Sequence, residues 1–179
     1  MTLPNKLSLV RIFLVPVLVT VLLTRFSNPL ALSIFLLASL TDWLDGYIAR
    51  RSKQTTTLGK LLDPMADKLL ISSALISLVE MGLAPAWMVV VIVSREIAIT
   101  GIRSVAASQG VVIAASKMGK YKAVSEILAI SFLILGKIPF PILGNFPLGH
   151  ILLWVAMIMA IVSGIEYVIK FNQQVKLTS

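Results

Sequence analysis

The chain has 179 residues, 58% of them hydrophobic and 13% charged, and its mean hydropathy of +0.95 is too high for a soluble domain that must cover its surface with polar groups. Lys and Arg number 16 against 8 Asp and Glu, a net charge of +8, which in so apolar a chain suits an anionic lipid surface or a phosphorylated substrate rather than nucleic acid. There is no cysteine and a single histidine, His150, so disulfides, thiolate metal sites and cysteine nucleophiles are excluded and a histidine-based metal site or triad is disfavoured.

Proline, glycine and charge divide the sequence into about six apolar spans, each near the roughly 20 residues that cross hydrocarbon. They fall near 5–26, 29–51, 58–81, 85–108, 119–138 and 148–170. The first reads as a retained helix rather than a secretory signal, because no small-residue cleavage pattern follows it closely. The turns at Ser27-Asn28-Pro29 and Gly82-Leu83-Ala84-Pro85, and the segment from Pro139 to Gly149, contain almost no Lys or Arg. The other side holds Lys6 and Arg11, then Arg50, Arg51, Lys53 and Lys60, then Lys117, Lys120 and Lys122, and finally Lys170 and Lys176. The positive-inside rule makes that side cytoplasmic. The expectation is an all-α integral membrane bundle of six transmembrane helices with both termini cytoplasmic, forming one domain over residues 1–179.

Four aspartates interrupt this pattern: Asp42, Asp45, Asp63 and Asp67. From Pro29 to Asp42 there are about 13 residues, roughly 20 Å of helix against a hydrocarbon core of roughly 30 Å, so the second helix must continue through its aspartates. The third must likewise begin before Asp63. Asp42 and Asp45 are i, i+3, with Gly46 and Ala49 continuing their face, while Gly59, Asp63 and Asp67 succeed one another at i, i+4. A carboxylate at the bilayer centre costs roughly 2.5–3.5 kcal/mol, on the order of 10 kcal/mol for four, somewhat less near the interface. Hard divalent cations would balance that charge, and oxygen-only ligands point to Mg²⁺, Mn²⁺ or Ca²⁺. Four carboxylates match two such ions. The alternative is a set of interfacial salt bridges with Arg50, Arg51, Lys60 and Lys68, the glycines serving only packing.

Residues 42–67 resemble the CDP-alcohol phosphatidyltransferase family, whose signature is D-x2-D-G-x2-A-R-x8-G-x3-D-x3-D. Asp42, Asp45, Gly46, Ala49, Arg50, Gly59, Asp63 and Asp67 match it with every spacing intact. The resemblance implies six transmembrane helices, commonly in a homodimer, and transfer of a phosphatidyl group from a CDP-linked lipid to an alcohol. It implies that Asp42, Asp45, Asp63 and Asp67 hold two metals, Mg²⁺ or Mn²⁺, that Asp67 is also the general base, and that Gly46, Ala49, Arg50 and Gly59 line the nucleotide site. It places the chain in a bacterial cytoplasmic membrane with the site facing the cytoplasm. Near the N-terminus, Asn5, Ser8 and Arg11 share a helical face and are similar to a stretch that lies by the nucleotide phosphates in family members. An Asn cap followed by a snorkelling Arg explains the same residues.

The choice of alcohol falls to residues 94–126. Arg95 and Glu96 lie well inside the fourth span, where ionic residues are functional candidates by default. Arg103, Lys117, Lys120 and Lys122 follow toward the cytoplasmic side, and such a basic set suits an acceptor that carries its own phosphate. This stretch resembles the bacterial phosphatidylglycerophosphate synthases, the branch using sn-glycerol 3-phosphate, at Arg95-Glu96, Thr100-Gly101, Arg103, Ala106-Ala107, Gly110, Ala114-Ala115-Ser116, Gly119-Lys120 and Lys122. That resemblance implies CDP-diacylglycerol as donor and an acceptor-phosphate set of Arg95, Arg103, Ser116, Lys117 and Lys120. Ala123, Ser125 and Glu126 stand where Thr, Thr and Gln are expected. The competing explanation of these bases is topology plus attraction to anionic lipid. Three further readings remain open: a sibling enzyme using serine, inositol phosphate or phosphatidylglycerol; a cation channel or transporter lined by the aspartates; and a non-catalytic lipid-binding scaffold. Trp87 and Trp154 read as interfacial or packing aromatics, and Glu166 as a partner within the sixth helix.

Overall fold

A computed structural model describes residues 3–52, 57–108, 117–136 and 147–178. Within them the chain forms α1 (Leu3–Leu23), α2 (Asn28–Ser52), α3 (Thr57–Glu80), α4 (Ala86–Ser108), α5 (Lys117–Leu135) and α6 (Leu148–Thr178). The described residues contain no strand. The expected helices are therefore present, with differences at the ends that have local causes.

The first helix stops at Leu23 rather than near residue 26 because Arg25 adopts a left-handed conformation, φ 51°. Phe26 N then donates to Val21 O at 3.3 Å and Arg25 N to Leu22 O at 3.0 Å, which satisfies carbonyls the helix would otherwise strand. Glycine takes this role at the end of α3, where Gly82 has φ 72° and Leu83 N donates to Leu78 O at 2.9 Å. Gly136, φ 68°, closes α5 before the expected residue 138. The sixth helix runs beyond the expected residue 170, because helical hydrogen bonding continues into the polar tail after the apolar stretch ends. A Lys170–Glu166 pair at 2.6 Å one turn apart supports that extension.

Two compact units result. One comprises Met1–Ala84 and Ile130–Phe146; the other comprises Pro85–Ala129 and Pro147–Ser179. In the first, α1 packs against α2 and α3, and α2 against α3. The buried stripe of α1 is Ser8, Arg11, Val15, Leu18 and Leu22, spaced by three and four residues as one helical face requires. Ala31, Phe35 and Ala38 supply the buried side of α2, and Ala66, Leu70, Ala74 and Leu78 that of α3.

In the second unit α4 packs on α6. Trp87 meets Trp154 edge to face, with ring centroids 5.4 Å apart. Arg95 meets Ala160 and Ser163, and Arg103 meets Tyr167. These contacts climb both helices together, so α4 and α6 run parallel. Large apolar side chains such as Phe13, Val90 and Ile97 are more than 60% exposed, too much apolar surface to face water comfortably. Among the described residues one helix, Leu148–Gln173, is long and apolar enough to cross a membrane by length and composition, with a mean hydropathy of 2.2. Ser8–Leu23 and Asn28–Thr41 are shorter apolar stretches. Interruption of α2 through α5 by charged residues keeps their hydropathy lower.

Candidate active site

The aspartates sit on two helices that pack against each other, and neither helix breaks at them. Asp42 and Asp45 lie inside α2, and Asp63 and Asp67 inside α3. Since a helix turns about 100° per residue, offsets of three and four keep each pair on one face. Asp67 is half-buried and adjoins Ala66, a fully buried position of the α3 core. The side chains of Asp42, Asp45 and Asp63 lie outside the described residues, as do those of Asn5, Gly46, Ala49, Arg50 and Gly59, although the helical backbone carries all of them. Among the described residues no group of three or more His, Cys, Asp or Glu gathers as a metal cluster would. The unbroken backbone and the all-oxygen donor chemistry nonetheless fit hard divalent cations.

Ser8 and Arg11 are both fully buried, Arg11 with 1% of its surface exposed. They belong to the α1 stripe that also carries Leu18 and Leu22. A snorkelling arginine would reach outward; Arg11 instead remains inside the unit that contains the aspartate-bearing helices.

The second unit holds a chain of ionic contacts. Arg95 donates from Nε to Ala160 O at 3.2 Å and from Nη2 to Ser163 Oγ at 3.0 Å. Its Nη1 meets Glu96 Oε1 at 2.6 Å. The same carboxylate oxygen receives Lys122 Nζ at 2.6 Å, and Lys122 also pairs with Glu126 Oε2 at 2.7 Å. These groups are nearly all buried, which demands such pairing because an isolated charge removed from water is costly. Glu126, unexpected from the resemblance, thus has a definite partner in Lys122. Arg103 is exposed, its guanidinium 5.7 Å from the centroid of the Tyr167 ring. Lys120 is exposed on α5. Ser116 and the side chain of Lys117 lie outside the described residues.

A family model described as CDP-alcohol phosphatidyltransferase matches residues 1–162. The chain belongs to the CDP-alcohol phosphatidyltransferase family. Among its relatives is a CDP-diacylglycerol–glycerol-3-phosphate 3-phosphatidyltransferase of Bacillus subtilis (strain 168), 48% identical, with 92% of each chain covered. A protein of the same description from Rickettsia typhi is 37% identical over 92% of this chain and 94% of its own. One from Arabidopsis thaliana is 37% identical over 74% of this chain and 64% of its own.

Sequence reading missed Ser163 and Tyr167, the α6 groups that meet Arg95 and Arg103. A signal existed: with Ala160 they lie on one helical face, and they are among the few polar positions in the apolar stretch of α6. What the sequence lacked was any indication that this face meets α4.

Proposed function

We propose that this phosphatidyltransferase moves the phosphatidyl group of CDP-diacylglycerol to sn-glycerol 3-phosphate, forming phosphatidylglycerophosphate and releasing CMP. The observation that carries this reading is the complete signature, lying on unbroken α2 and α3. Relatives whose names state this donor and acceptor, the first at 48% identity over most of the chain, support it.

Asp42, Asp45, Asp63 and Asp67 would hold two divalent cations, Mg²⁺ or Mn²⁺. When bound, such ions neutralise charge on the donor diphosphate as the bond to CMP breaks. The acceptor hydroxyl oxygen forms the new bond to the phosphatidyl phosphorus, the phosphoanhydride oxygen leaves with CMP, and the hydroxyl proton passes to the Asp67 carboxylate. A carboxylate is a weak base, so positioning contributes more than proton abstraction. Asn5, Ser8, Arg11, Gly46, Ala49, Arg50 and Gly59 are assigned to the CDP-lipid. Arg95, Arg103, Ser116, Lys117 and Lys120 are assigned to the acceptor phosphate, for which charge-assisted hydrogen bonds are the natural recognition.

The same proposal places residues 1–179 in the bacterial cell membrane as one six-span domain, with both termini and the site cytoplasmic. The parallel course of α4 and α6, expected of alternate spans, supports it, as do the exposed apolar side chains. A homodimer accompanies the family resemblance.

The test is CMP release from purified protein with CDP-diacylglycerol and, in turn, glycerol 3-phosphate, serine, inositol phosphate and phosphatidylglycerol. Turnover should require glycerol 3-phosphate. Turnover with serine and none with glycerol 3-phosphate would reject the assigned acceptor.

A further inference from the structure

Tyr167 on α6 is 5% exposed and packs with Ile99 and Ala106, with Ile102 and Phe171 against the same cluster. Apolar neighbours on α4 and α6 therefore fix its ring. Over that ring lies the guanidinium of Arg103, Cζ 5.7 Å from the centroid, within the range where an aromatic face attracts a cation. Among the described residues, the buried Tyr167 hydroxyl has no hydrogen-bond partner. What Tyr167 offers Arg103 is thus the ring face and not a hydrogen bond.

An exposed arginine on a helix ordinarily samples many rotamers and loses that freedom when it grips a ligand. Stacking on a fixed ring removes part of the loss beforehand and leaves the donor edge of the guanidinium open for an anion. Arg95 is held by the same helix one level earlier, through Ala160 O and Ser163 Oγ. Arg95 and Arg103 are eight residues apart, about 12 Å along α4, so one face of α6 sets the direction of both.

We infer that Tyr167 is a positioning residue for the acceptor: its ring orients Arg103 toward the phosphate of glycerol 3-phosphate before that substrate arrives. The inference rests on the assignment of Arg103 to the acceptor phosphate.

The test is a double-mutant cycle on purified full-length protein, with CDP-diacylglycerol saturating and glycerol 3-phosphate varied. Tyr167→Leu should raise KM for glycerol 3-phosphate about two- to five-fold, the scale of an exposed cation–π contact, with kcat retained. Tyr167→Phe, which keeps the ring, should rescue KM. Arg103→Ala should raise KM further, and adding Tyr167→Leu to it should change KM no more, because the ring would have nothing left to orient. An equal Tyr167→Leu effect in both backgrounds, an unchanged KM, or failure of Tyr167→Phe to rescue would overturn the inference. If Tyr167→Leu does not fold, as judged by its melting temperature, Tyr167→Met carries the same cycle with a longer and more adaptable apolar side chain. Wild-type protein that releases no CMP with glycerol 3-phosphate would defeat the acceptor assignment and this inference together. Active wild type with uncoupled Tyr167 and Arg103 would defeat the inference alone.

Discussion

Lys122 on α5 reaches Glu96 on α4 across 2.6 Å, and only 4% of the lysine is exposed. The pair joins two helices of one unit through a single ammonium group, which Glu126 also contacts. Burial of such ions is tolerated only while each keeps its counter-charge.

Lys122→Met should therefore destabilise the protein by roughly 3–5 kcal/mol, the range for removing one member of a buried pair. Glu126→Gln should cost less, since an amide still accepts a hydrogen bond and Glu96 still faces the ammonium. Thermal unfolding in detergent ranks the variants. An unchanged melting temperature for Lys122→Met would show that the pairing contributes nothing.

Gly164 on α6 lies against Arg95, where an added Cβ would stand 3.3 Å from Arg95 Cγ and 3.5 Å from its Nε. Gly164→Val would push the arginine from Ala160 O and Ser163 Oγ. The expected result is a stability loss of about 1–3 kcal/mol, typical of overpacking, with a raised KM for glycerol 3-phosphate. Gly164→Ala should do less, because better helix propensity offsets the crowding. Melting curves and steady-state rates on both variants provide the check.

Asp67→Asn keeps the shape of the side chain and removes its charge. CMP release should fall about 10²- to 10⁴-fold, the usual contribution of a general base, while binding of CDP-diacylglycerol is largely retained. Retention of full turnover by this variant would remove Asp67 from the chemistry.

Chelation offers an independent probe of the aspartates. Excess EDTA should abolish CMP release, and Mg²⁺ or Mn²⁺ should restore it. Undiminished turnover in the chelator, after the protein has been stripped and re-purified, would contradict the assignment of Asp42, Asp45, Asp63 and Asp67 to metal.

The helices and the spacing of the aspartates were legible in the sequence because both depend on near neighbours. A glycine in the left-handed region stops a helix at once, as Gly82 and Gly136 do, and helical period fixes which side of α2 or α3 an aspartate occupies. Arg25 was less legible: a residue with a side chain took the left-handed position usually left to glycine, so α1 ended sooner than its hydropathy suggested. The length of α6 was hidden for the opposite reason, since hydropathy marks where apolar surface ends and not where hydrogen bonding does.

By itself, then, the sequence determined six helices and the placing of four aspartates on two of them, since hydropathy, punctuation and motif spacing act over short stretches. Only the tertiary structure decided which groups the basic residues of α4 and α5 meet. Arg95 finds its partners on α6 at Ala160 and Ser163, Arg103 lies over Tyr167, and Lys122 on α5 lies between Glu96 and Glu126. The α6 partners lie more than 60 positions away along the chain, and a helical period states which residues share a face but not which face of another helix will meet it.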